Sequence, residues 1–82
     1  MYIIATKSFI ETELNEILYL GWQEPAWDED GYFWTRKETI KEMIKDGYIF
    51  PEQPFLFDSE EKAKQLAKNI ELTKDYFIKE WL

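Results

Sequence analysis

Histidine, cysteine and valine are absent from this 82-residue chain, arginine occurs once as Arg36, and serine occurs only as Ser8 and Ser59. Each absence removes a class of chemistry. Without histidine there is no side chain whose ordinary pKa makes it a proton shuttle near neutrality. Without cysteine there is no thiolate nucleophile, no soft metal ligand and no disulfide framework. For so small a domain, that last absence favours the cytosol. A serine triad is excluded. A Ser–Lys pair is conceivable, although Ser59 is better placed as a helix cap. The three glycines, Gly21, Gly31 and Gly47, stand too far apart to form a phosphate loop. No apolar run approaches the roughly 20 residues of a spanning helix. The opening Met1-Tyr2-Ile3-Ile4 has neither a basic leader nor a small-residue cleavage site, so no secretion signal is expected there.

What the chain does have is aromatic side chains (18%) and carboxylates, with a net charge of −7. A chain of this size is expected to form one domain, residues 1–82, near the lower limit for a self-sufficient core. Large rings help such a core, because each removes about 150–250 Å² from water. Fifteen of them are more than a small core hides, so some are expected at the surface. Direct nucleic-acid binding is not expected, since ten basic residues are scattered among seventeen acidic ones. A membrane-surface role fails for the same reason.

Tyr2–Lys7 reads as a first strand. Ser8–Trp22 is ambiguous. Ser8-x-x-Glu11 has capping-box form, and Ile10, Leu14, Ile17 and Leu18 recur at helical spacing. Against that, Ile17-Leu18-Tyr19-Leu20 reads as a strand closed by Gly21, which favours a hairpin strand over Glu16–Trp22 with a turn near Glu13–Asn15. Asp30-Gly31 between aromatic flanks predicts a second hairpin, with one strand ending near Trp27 and another over Tyr32–Thr35. Thr35-x-x-Glu38 predicts a helix from Arg36 to Asp46, with Gly47 at its C′ position. Phe55-Leu56-Phe57 reads as a short strand, and Asp58-Ser59-Glu60-Glu61 as a cap with acidic first-turn residues. Ala63, Leu66, Ala67, Ile70, Phe77, Ile78 and Trp81 then share one helical stripe. The spacing predicts either one helix from Ser59 to the end or two broken near Leu72-Thr73. The expected class is α+β: a small antiparallel sheet of three or four short strands with helices packed on one face.

Three segments carry a resemblance: Tyr2-Ile3-Ile4, Tyr32-Phe33-Trp34-Thr35, and Phe55-Leu56-Phe57-Asp58-Ser59-Glu60-Glu61-Lys62-Ala63. Together they resemble small accessory proteins of bacteriophages and prophages, and cover about half the chain in patches. The resemblance implies a mobile-element origin and transfers no catalytic residue. The region Glu24–Asp30 departs from the pattern. Nine lysines against one arginine, frequent isoleucine and no valine also suit an AT-rich coding source.

The densest negative run is Asp28-Glu29-Asp30. As a metal site it would use oxygen ligands, but it lacks the twelve-residue ligand spacing of a calcium loop and reads better as a solvated turn. Trp22, Trp27, Tyr32 and Trp34 flank it. Most of these rings suit the core, but together with Glu24, Asp28, Glu29 and Asp30 they form the expected protein-binding patch. Nothing raises any pair of the seventeen carboxylates to a glycosidase-type acid and base. Tyr76-Phe77-Ile78-Lys79-Glu80-Trp81-Leu82 is expected to close the core as helix, with a homodimer face as the alternative. The combined expectation is a non-enzymatic protein-binding module without cofactor or metal. It would be a phage- or prophage-encoded inhibitor acting in the host cytoplasm on a host protein with a basic surface. The alternative is a homo-oligomeric structural protein, with a carboxylate-dependent enzyme a third reading.

Overall fold

A computed structural model describes residues 1–8, 16–24, 31–48, 52–72 and 75–81. The fold class is α+β, as expected, and the described residues form five strands and two helices in the order β1 Tyr2–Ser8, β2 Glu16–Trp22, β3 Tyr32–Thr35, α1 Lys37–Lys45, β4 Leu56–Phe57, α2 Glu60–Asn69 and β5 Phe77–Glu80. All pairings are antiparallel. The hairpin reading of Glu16–Trp22 therefore holds over the helical one, while its turn near Glu13–Asn15 lies outside the described residues. So does the strand expected to end near Trp27. Within the described residues β3 pairs with β2, from Trp22↔Tyr32 to Tyr19↔Thr35.

β1 is the central strand. Ala5 faces Tyr19 of β2 and also Phe77 of β5. A strand has two edges, so β2 and β5 flank β1 on opposite sides. Tyr2 and Ile3 pair with β4 on the edge that β2 occupies farther along. Among the described residues β3, β4 and β5 each have a single strand partner, with β3 and β4 lying to one side of β1 and β5 to the other.

Side chains of successive strand residues point to opposite faces, and both faces of β1 are buried. Ile3 and Ala5 pack with Tyr19, Trp22 and Phe55 and with Ile40 of α1. Ile4 packs with Leu20 and Phe57 and with Ala63 and Ala67 of α2. The helices therefore cover opposite faces, which corrects the expectation of a single helical layer. The consecutive apolar run Ile3-Ile4-Ala5, fully buried throughout, is the mark of a strand sandwiched on both sides. Gly21 lets α1 approach β2, because a Cβ there would stand 3.0 Å from Cδ1 of Ile40.

α1 starts differently from the sequence expectation. Thr35 remains in β3, and Arg36 is the N-cap with no side-chain cap bond. Its end is as read: Gly47 adopts a positive φ of 78°. The N–H groups of Gly47 and Tyr48 donate to the carbonyls of Ile44 and Met43, the paired bonds of a Schellman motif. α2 is capped as expected, with Ser59 Oγ accepting from the Lys62 N–H.

The C-terminal helix is the larger correction. α2 stops at Asn69, and Phe77–Glu80 is a strand paired with β1. The stop is again a Schellman motif, with the Glu71 N–H on the Lys68 carbonyl and the Leu72 N–H on the Ala67 carbonyl. Its left-handed residue is Glu71 at φ 53°. Only glycine or asparagine ordinarily announces such a stop in a sequence.

Candidate functional site

Of the eight residues expected to form a binding patch, Trp22, Glu24, Tyr32 and Trp34 are described, and Trp22 and Tyr32 face each other across β2 and β3. Trp22 is 7% exposed and belongs to the cluster around Ile40. Tyr32 is half-buried and its hydroxyl donates to the Pro54 carbonyl at 3.2 Å. Trp34 is half-buried against the Ile4–Leu20–Ala63 cluster. Glu24 is exposed. Trp27, Asp28, Glu29 and Asp30 lie outside the described residues. Gly31 has the positive φ (83°) foreseen for it, and it packs so closely on Trp22 that a Cβ would stand 2.5 Å from the indole nitrogen. The aromatic content around β2 and β3 thus goes mainly into packing.

The open surface lies at the opposite margin. Tyr76 is 38% and Phe77 36% exposed, Lys79 and Glu80 are exposed, and only Ile78 of β5 is half-buried. The Trp81 N–H donates to the Met1 carbonyl at 2.7 Å, and the Asp75 carbonyl accepts from Thr6 Oγ1 at 2.6 Å. Both odd-numbered residues therefore aim backbone groups at β1. Because these groups alternate along an antiparallel ladder, Ile78 and Glu80 turn theirs outward. No strand pairs with that outer side among the described residues. Alternation also sorts the side chains. Phe77 and Lys79, opposite Ala5 and Ile3, share the α1 face, while Ile78, opposite Ile4, lies on the α2 face.

Beside β5 on the α1 face stands a ladder of rings and cations. Tyr19 and Trp81 meet edge to face at 5.4 Å and 88°. Lys37 Nζ lies 5.6 Å from the Trp81 ring and Lys79 Nζ 5.9 Å from the Tyr19 ring, both within the range of cation–π attraction. A cavity of about 190 Å³ adjoins it, lined by Ile17, Tyr19, Arg36, Lys37 and Glu38. A second, of about 300 Å³, lies near Met1, Leu56 and Lys62. Trp81 holds the end of β5 in place through this packing.

Among the described residues no cluster of three acidic side chains is placed to hold a metal ion. The Asp58 carboxyl stands at the start of α2, exposed to solvent. Its pKa is held below the ordinary value by a hydrogen bond from Lys62 and by that ammonium's charge, with Nζ 2.9 Å from Oδ1. This is a surface ion pair spanning the cap of α2. Along α1 lysines and acids alternate as Lys37, Glu38, Lys41, Glu42 and Lys45, whereas in α2 Glu60 and Glu61 precede Lys62, Lys64 and Lys68.

Sequence reasoning passed over β5 because its apolar residues also fit a helical stripe. The available signal was the β-rich triplet Tyr76-Phe77-Ile78 after the polar interruption at Thr73. No protein-family model, curated protein or solved structure matches this chain. No helix among the described residues is long and apolar enough to cross a membrane.

Proposed function

We propose that this protein is a polypeptide-binding module that accepts an extended segment along the outer edge of β5. It acts by strand addition rather than by chemistry on a substrate. The observation that carries the reading is the outer side of β5, which no strand among the described residues pairs, with Ile78 and Glu80 turning backbone donors and acceptors outward beside two exposed rings. Main-chain bonds supply affinity in this mode, and pockets for alternate side chains supply selectivity. Here Phe77, Lys79 and the Tyr19–Trp81 ladder offer an aromatic and cationic lane on one face. Ile78 offers an apolar one on the other. The binding role expected from composition is kept, and this reading assigns it to β5 instead of to Asp28–Asp30. The short strand and its Lys79-Glu80 pair limit indiscriminate pairing, as edge charges do in other sheets.

The test is to select a displayed library of linear peptides against the folded protein and compare Glu80→Pro. That substitution removes an outward N–H from an exposed position, so the ladder to β1 is untouched. Peptides with alternating apolar positions should be enriched, and their binding should be lost in Glu80→Pro while its melting temperature holds. No enrichment, or equal binding by a folded Glu80→Pro, would refute the proposal.

A further inference from the structure

We infer that the segment this edge accepts in the isolated protein is β5 of a second copy, paired antiparallel about a two-fold axis through Ile78. The inference rests on the strand-acceptor reading and names its partner. A two-fold axis perpendicular to a sheet sets one residue opposite itself, because the interface uses the same patch on both copies. Within β5 the choices are Phe77, Ile78, Lys79 and Glu80.

The backbone selects among them. Ile78 and Glu80 carry the outward groups, so an axis at Ile78 makes Ile78 a hydrogen-bonded pair with itself and exchanges both bonds. The next outward pair sets Tyr76 against Glu80 of the second copy. Side chains select the same register. Phe77 stands across from Lys79 of the second copy, a ring facing an ammonium, and Asp75 lies diagonal to that same lysine. Ile78 meets its own counterpart on the α2 face and finishes the burial that the monomer leaves half done. An axis at Lys79 would oppose two ammonium groups, and one at Glu80 two carboxylates; like charges directly across are destabilising. An axis at Phe77 leaves Lys79 and Glu80 beyond the paired strand. Ile78 is the register that satisfies backbone, charge and burial together. The result is one continuous sheet through both copies, with β3 at each outer end.

A contact between two four-residue strands is small, so association belongs in the range of about 10 µM to about 1 mM. Sedimentation equilibrium of the full chain over that range should show the average mass climbing from 10.0 kDa toward twice that value. Glu80→Pro should stay monomeric. Because the chain has no cysteine, single-cysteine variants report the register directly. Two residues in a hydrogen-bonded cross-strand pair sit about 5.5 Å apart, within disulfide reach. Ile78→Cys should therefore form a covalent dimer under mild oxidation, and Phe77→Cys and Lys79→Cys should not. A monomer at every concentration, a dimer indifferent to Glu80→Pro, or cross-linking through Lys79→Cys equal to that through Ile78→Cys overturns the inference. If the protein stays monomeric while library peptides still bind in a Glu80-dependent way, the self-pairing fails and the acceptor edge stands. If neither depends on Glu80, both fall.

Discussion

β3 and β5 are both four-residue strands at the margins of one sheet, and both carry aromatic side chains, yet one margin is sheltered and the other open. All four residues of β3 are half-buried. Three of the four in β5 are exposed. Composition does not explain the contrast, since Tyr32-Phe33-Trp34 is if anything richer in rings than Tyr76-Phe77-Ile78. What differs is what lies alongside. Tyr32 is tied to Pro54, Trp34 leans on the cluster beneath α2, and Gly31 closes on Trp22. Among the described residues each margin has a single strand partner, β2 for β3 and β1 for β5, so the contrast lies in side-chain burial, with Phe77, Lys79 and Glu80 of β5 exposed. Ring content is thus a poor guide to which margin stays exposed.

The sharpest way to break this comparison is at Gly31. An alanine there meets the Gln23 carbonyl oxygen and the Trp22 indole nitrogen at 2.5 Å, in a backbone conformation that L residues disfavour. Gly31→Ala should lose about 3 kcal/mol from combined strain and overpacking, measured by denaturant unfolding. A loss within error would mean that the β3 margin is not closed. The two edges are then compared directly by paired truncation. Trp34→Ala should lower stability by about 2–3 kcal/mol, given its half-buried ring. Phe77→Ala, at an exposed position, should lower it by under about 1 kcal/mol. Equal losses would erase the distinction.

A third experiment addresses how β5 reaches its edge. Glu71 holds the left-handed turn that ends α2 and sends the chain toward the sheet. Glycine adopts that conformation without a Cβ penalty, so Glu71→Gly should stabilise the fold by about 1 kcal/mol. Destabilisation would mean that the turn is not where the helix terminates. The smallest effect belongs to Asp58. Its carboxyl is held below the ordinary 3.8 by Lys62, so its contribution is complete above that value and is lost as pH falls through the lowered one. Both side chains are largely exposed, so screening keeps the term small. Lys62→Met should lower stability only slightly at neutral pH, and the difference from the parent should vanish as pH falls below the lowered Asp58 value, so that the acid limb flattens slightly. A marked change at neutrality would show that the pair carries more than its exposure allows.

Much of this architecture was legible residue by residue. Ser59 announced the start of α2, Gly47 the end of α1, and Gly31 a positive φ before β3, because each of those conformations needs a particular small or capping side chain. The unread parts have equally specific causes. Glu71 occupies a position that glycine usually marks, so nothing in the sequence ended α2 there. Phe77, Ile78 and Trp81 fit a helical stripe as well as a strand that packs on both faces, and only the free edge of β1 decides between them. Of the candidate site only Trp22, Glu24, Tyr32 and Trp34 are described. Trp22, Tyr32 and Trp34 are the right kind of residue for an interface, but in this fold they are drawn into packing.

By itself, then, the sequence determined the class of elements, their order up to α2, and a set of side chains suited to contact more than to bond-breaking, because local conformation and chemical inventory are properties of neighbouring residues. Which face each helix covers, where β5 pairs and which rings reach water were decided only in three dimensions. Those outcomes depend on the competition for the two edges and two faces of β1, and segments from both halves of the chain take part in it.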